Sequence, residues 1–150
     1  MKDKVYYDNS NCLPMPSRYE ILEHTADMLI KASGKTLAEA FENAAYAMFD
    51  TIVDLDEVKP IGEIHVNTKS ANLEQLLVDW LSELLFICDA QHLVFSDFKV
   101  VISGTELHSV IKGEDINRKR HTLKNEVKAV TYHMLEVNQK DNCVQVLFDI

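Results

Sequence analysis

The class predicted for this 150-residue chain is α+β, with two amphipathic helices packed on a largely antiparallel or mixed β-sheet in a single domain. Three observations predict it. Two long segments carry apolar residues at helical spacing, and helices of that kind need a sheet face to cover. The remaining apolar segments are short and strand-like. Several are joined by hairpin-type turns, giving the order β-β-α-β-α-β-β-β-β.

Residues 1–18 are polar and irregular, with Pro14 and Pro16 near their end, and read as an N-terminal extension to a domain over 19–150. The alternative is that Tyr6, Tyr7 and Leu13 pack back on that domain. Two strand-like pieces follow, Tyr19–His24 and Met28–Ser33, around Thr25-Ala26-Asp27. Gly34 breaks the pattern. The first helix runs from Thr36 to about Thr51; Thr36 and Glu39 form a capping box, in which the threonine hydroxyl accepts the amide of Glu39. Its stripe is Leu37, Ala40, Phe41, Ala44, Met48, Phe49 and Ile52, which reads as core.

An acidic connection, Asp54–Pro60, leads to a strand marked by Ile61, Ile64 and Val66 and ending near Lys69. The second helix starts near Asn72 and repeats Leu73, Leu76, Leu77, Trp80, Leu81, Leu84, Leu85 and Cys88 without a fault. Leu93–Ile102 and Glu106–Ile111 form a hairpin around Gly104-Thr105. Residues 113–125 are a charged loop. Glu126–Val137 and Cys143–Phe148 form a second hairpin through Asn138–Asn142.

Composition narrows the function classes. The net charge is −9, from 24 acidic and 15 basic side chains, which argues against non-specific coating of nucleic acid. Cys12, Cys88 and Cys143 are odd in number and far apart, so a zinc ribbon or Cys-x-x-Cys redox motif is not expected, and a reducing compartment is the simplest reading. No signal-peptide core and no membrane-length apolar run is visible, so the expected location is cytoplasmic with no membrane partner. The four glycines stand alone, without a phosphate loop or nucleophile elbow, and no two histidines have metal-pair spacing. No self-sufficient catalytic constellation is present.

Three local features remain. Asp27, in Glu23-His24-Thr25-Ala26-Asp27, offers the hard oxygens that Ca²⁺ and Mg²⁺ prefer, though on this motif alone an Asx-type turn is the favoured reading. The last strand reaches Asp149-Ile150; Val144, Val146, Phe148 and Ile150 share one parity, so burial of Ile150 would hold its α-carboxylate beside Asp149, and the alternative is a solvated tail. Arg118-Lys119-Arg120-His121, with Lys124 and Lys128, is a basic stretch on an acidic chain: a solvated loop, or a contact for phosphate or an acidic partner. Lys128 is placed inside a strand, sharing its face with Tyr132.

Together these residues resemble the archease family. The resemblance runs from Tyr19 to Ile150 and rests on Glu23-His-Thr-Ala-Asp27, Gly34-Lys-Thr-Leu-Ala-Glu-Ala-Phe41, the Leu73–Leu85 helix, Glu126-Val-Lys-Ala-Val-Thr-Tyr-His133 and the final Asp149-Ile150. It implies an accessory protein, not an enzyme, that activates an RtcB-type tRNA-splicing RNA ligase through transient docking. Such proteins promote guanylylation of the ligase, sustain its turnover and broaden its use of nucleotide triphosphates, meeting RNA and GTP only through it. The resemblance further implies a divalent cation, typically Ca²⁺ with Mg²⁺ the alternative, held by Asp27, Asp149 and Ile150. It implies a partner-activating role for Lys128 and His24. Arg118, Arg120 and His121 stand as candidate phosphate or partner contacts. Two competing functions are a stand-alone metal-dependent nucleotide hydrolase and a chaperone or adaptor for RNA-modifying proteins.

Overall fold

The structure, a computed structural model, describes residues 18–24 and 26–150, with the backbone alone at Glu23 and His24. The expectations placed on residues 1–17, on Thr25 and on the His24 side chain lie outside the described residues. The elements are β1 (Tyr19–His24), β2 (Asp27–Ser33), α1 (Leu37–Ile52), β3 (Gly62–Lys69), α2 (Leu73–Gln91), β4 (Leu93–Ser103), β5 (Glu106–Asp115), β6 (Ala129–Asn138) and β7 (Cys143–Asp149), with a short 3-10 turn at Leu55–Glu57.

The α+β class and the order of elements are as the sequence predicts. The strands, however, divide into two antiparallel sheets, in the orders β1-β2-β7-β6 and β3-β5-β4. The helices explain the division. α1 buries ten of its sixteen residues, more than a single apolar stripe supplies. It packs on β2 and β7 of one sheet and on β4 of the other, while α2 touches β6 on one side and β3, β4 and β5 on the other.

The core forms where these layers meet. Phe49 of α1 meets Phe95 edge-on at 5.4 Å and stacks on Phe98 at 5.7 Å, both from β4. Phe41 and Trp80 join the two helices, their ring centroids 6.4 Å apart. The buried Trp80 indole is satisfied: Nε1 donates to Ser109 Oγ at 2.9 Å, and Ser109 donates to the Val66 carbonyl at 2.7 Å. No helix among the described residues is long and apolar enough to cross a membrane. Cys88 is buried and free, and burial pushes its thiol up to about 12, whereas Cys143 is disulfide-bonded, which the expected reducing compartment does not predict.

Local chemistry sets the helix ends. Thr36 Oγ1 accepts the Glu39 amide at 3.1 Å, and Glu39 folds back to accept the Lys35 amide at 2.6 Å. Asn72 caps α2 by accepting the Gln75 amide at 2.8 Å. At the far end of α1 the carbonyls of Thr51 and Ile52 accept the amides of Asn125 and Lys124 at 3.1 and 2.8 Å, and the Lys124 ammonium reaches the Asp50 carbonyl at 2.8 Å. The chain before β6 is thus tied to α1, and β6 begins at Ala129, three residues later than the sequence predicts. Lys128 therefore precedes the strand. The expected shared face with Tyr132 is also lost, because between Thr131 and Glu136 five steps along β6 face two along β7.

Candidate functional site

β7 is the strand that gathers the candidate residues. Val144, Val146 and Phe148 point into the core, and Ile150 packs against its edge. The alternate residues, Leu147 and Asp149 among them, face the other side of the sheet. The β2–β7 register places Asp27 directly opposite Asp149 and Met28 opposite Phe148. Met28 lies in the core, so Asp27 and Asp149 share the face turned away from the helices. Residues so paired have Cβ atoms about 4.5–5.5 Å apart, and like charges there repel.

The end of β7 is held from both sides. The Asp149 carbonyl accepts the Lys128 amide at 2.7 Å, and the Ile150 amide donates to the Ala26 carbonyl at 3.4 Å. Ala129 of β6 pairs with Asp149 on the side opposite Asp27. Asp27, Asp149, Ile150 and Lys128, far apart in sequence, therefore meet at one end of the four-stranded sheet. Asp27 and Lys128 are exposed; Asp149 and Ile150 are half-buried. Lys128 is anchored through its backbone to Asp149 and leaves its ammonium toward solvent. The Ala26 carbonyl is a contributor that side-chain reasoning missed; the small residue before Asp27 was its only signal.

Among the described residues, no group of three or more His, Cys, Asp or Glu side chains has a metal-holding arrangement. The donor chemistry at this sheet end nevertheless fits a hard cation. Two carboxylates stand opposite one another, and among the described residues neither has an ion-pair partner, while the carbonyls of Ala26 and Asp149 supply neighbouring backbone oxygen.

The basic stretch is arranged differently. Arg120 grips Glu114 with two hydrogen bonds of 2.9 and 2.7 Å and reaches the Glu57 carbonyl at 3.1 Å. His121 is buried; its Nδ1 accepts the Asn117 amide at 2.9 Å, which leaves Nε2 to donate to Glu114 at 2.9 Å. The Arg120 hydrogen bond, with those from the Lys59 amide and His121, holds the Glu114 carboxyl down at about 2. Arg120 and His121 are thus engaged inside the chain, as internal partners of Glu114. Arg118 and Lys119 stay exposed at the mouth of a cavity of about 1150 Å³ floored by Ile64, Leu93 and Phe95. Sequence reasoning missed Glu114; the acidic pair Glu114-Asp115 ahead of an Arg-Lys-Arg-His run was the available sign of an internal countercharge.

Comparison with known proteins bears on the whole domain. The family model described as "Archease protein family (MTH1598/TM1083)" matches residues 19–150. The chain is similar to Protein archease of Methanosarcina mazei, with 43% identity over 133 residues that cover 83% of this chain and 91% of that protein. It is also similar to Protein archease of Pyrococcus furiosus, with 40% identity over 126 residues, 81% of this chain and 89% of that protein. The solution structure of Methanobacterium thermoautotrophicum protein 1598 superposes with a TM-score of 0.77 at 40% identity, covering 89% of this chain and 99% of that one. The crystal structure of an archease, described as a possible chaperone, from Thermotoga maritima shares the fold, with a TM-score of 0.56 at 19% identity, covering 86% and 94%.

Proposed function

This chain belongs to the archease family, and from that premise we propose that it is an accessory protein of an RtcB-type RNA ligase. In this reading it docks transiently on the ligase, promotes its guanylylation and so sustains its turnover in tRNA splicing. The observation that carries the reading is the pairing of Asp27 with Asp149 across β2 and β7, with Lys128 bonded to the same aspartate. These groups are exposed or half-buried at a sheet end, as half of a site completed by a partner requires.

Asp27, Asp149 and the terminal carboxylate of Ile150 are the proposed cation ligands, with Ca²⁺ the favoured ion and Mg²⁺ the alternative. A cation held there would supply positive charge, and coordination positions left open, toward the phosphates of a nucleotide bound to the ligase. The chain's own residues do the rest. The Asp149 carbonyl holds the backbone of Lys128 at the same sheet end as the carboxylates, and its ammonium stays toward solvent, free for a partner. The burial of Ile150 fixes the end of β7. His24 closes β1 and Asp27 opens β2, on either side of the same turn, and His24 is assigned a supporting role toward the partner.

A guanylylation assay tests the proposal. Adding the protein to a cognate ligase with GTP is expected to raise the guanylylated fraction and permit multiple turnover. Asp27→Ala, Asp149→Ala and Lys128→Ala are each expected to lose most of that gain. An unchanged guanylylated fraction with the wild-type protein overturns the reading.

A further inference from the structure

We propose that the groove between β3 and α2 is a strand-addition site for an extended segment of a partner protein whose helix-facing residues, every second one along the strand, include both apolar and basic side chains. The inference uses no residue of the Asp27–Asp149 site and stands or falls apart from it.

Four strands are sheet edges among the described residues: β1 and β6 in one sheet, β3 and β4 in the other. An exposed edge is a template for pairing, and proteins blunt such edges with bulges, cover or charge. Three of the four are interrupted. The register breaks between Ile21 and Glu23 on β1, between Phe95 and Asp97 on β4, and between Thr131 and Glu136 on β6. β4 is also covered: Glu42 of α1 accepts the Val100 amide at 2.9 Å, and Ser96 Oγ donates to the Val58 carbonyl at 3.1 Å.

β3 differs. Its register with β5 runs unbroken through all eight residues, from Gly62 opposite Gly113 to Lys69 opposite Glu106. An antiparallel strand turns alternate N–H and C=O groups away from its neighbour. β3 therefore presents a regular row of them on a side where no other described strand lies. Charge is the one edge defence left on it, at Glu63, His65 and Lys69, and it falls on side chains rather than on the ladder.

A wall runs beside that row. Asp79, Ser82, Glu83, Phe86 and Ile87 recur at the spacing of one helix face, and with Ile64–Lys69 they enclose a groove of about 810 Å³. Six strand residues span roughly 20 Å, about one ordinary strand. Phe86 is 64% exposed beside the groove, a large apolar side chain offered to water. The helix wall is acidic, through Asp79 and Glu83, and Lys69 on the strand lies 3.6 Å from Glu106 of β5. Main-chain bonds to β3 would give affinity, and side chains at alternate positions would give specificity: apolar against Phe86 and Ile87, basic against Glu83.

The test is an amide-resolved NMR titration of the full-length ¹⁵N-labelled protein with a short capped peptide in which every second residue is in turn valine or lysine and the residues between them are threonine. The expected result is saturable shifts concentrated in Ile64–Lys69 and Asp79–Ile87. Glu83→Lys is expected to weaken the peptide by about tenfold, and Phe86→Ala to weaken it severalfold, each with the remaining amide spectrum unchanged. N-methylation of alternate peptide residues on the pairing edge should abolish the shifts. The proposal is overturned by an absence of saturable shifts, by shifts centred on another edge, or by equal binding of a glutamate-for-lysine or N-methylated peptide. Self-association through β3 in sedimentation equilibrium also overturns it, since the occupant would then be a second copy.

Discussion

At the end of β2 and β7, Asp27 stands opposite Asp149, and among the described residues neither carboxylate has an ion-pair partner. Near the end of β5, Glu114 accepts two bonds from Arg120, one from His121 and one from the Lys59 amide. Both regions combine charges that the sequence marks as notable, and they are resolved in opposite ways. Glu114 has its countercharge and donors within the chain, so its cluster ties the loop to the 3-10 turn and to β5. The aspartate pair has like charges in register, an arrangement that costs stability unless something positive arrives. A charged motif that is satisfied internally supports the fold. One left unsatisfied at an exposed strand end is where an outside ligand or partner gains most.

The largest effect expected from this contrast is on cation-linked stability. With Ca²⁺ at a hundred times its dissociation constant, the wild-type protein should gain about 2.7 kcal/mol, read as a rise in Tm. Asp27→Ala and Asp149→Ala should show no such gain, while Glu114→Ala keeps it. A calcium-dependent rise that survives both aspartate substitutions would break the comparison.

Next in size is the internal cluster. Glu114→Ala leaves the buried His121 N–H without its acceptor and should destabilise the protein by about 1–3 kcal/mol in urea unfolding. The same cluster gives an acid signature. The Glu114 carboxyl is lowered from 4.5 to about 2, so its contribution to stability is present above about 4.5 and is lost as pH falls toward about 2. Glu114→Gln should flatten that part of the stability-pH curve. An identical acid slope in the Glu114→Gln protein would remove Glu114 as its source.

The smallest effect sharpens the contrast through its sign. In EDTA, Asp27→Asn should stabilise the protein by about 0.2–1 kcal/mol, because it removes a cross-strand repulsion. A loss of stability there would mean that the Asp27 carboxylate makes structural bonds of its own.

The candidate cation ligands were legible because each sits in a short pattern: Asp27 in a turn between two strands, Asp149 and Ile150 at the close of an alternating strand. The roles of the basic residues were not. Arg120 and His121 look as available as Arg118 in a linear reading, since nothing local shows that Glu114 lies beside them and takes their donors. Lys128 was placed within a strand because its neighbours alternate. It lies before β6 because Asn125 and Lys124 are bonded to the end of α1. The irregular stretch after Thr131, with Met134 at a φ of 57°, carries one faint local mark, the adjacent apolar Met134 and Leu135 that break the alternation.

By itself the sequence determined the kinds and order of the elements, the cap at Thr36, the start of α2 near Asn72, and the apolar faces of both helices, because these follow from spacing and hydrogen bonding within a few residues. The tertiary structure alone decided that the strands form two sheets, that Asp27 faces Asp149, that Glu114 takes Arg120 and His121 for itself, and that β3 is left as the one unbroken edge among the described strands. Those outcomes depend on register and on which strand becomes whose neighbour. Both are settled by how two helices cover two sheets at once, a condition that residues scattered along the whole chain meet together.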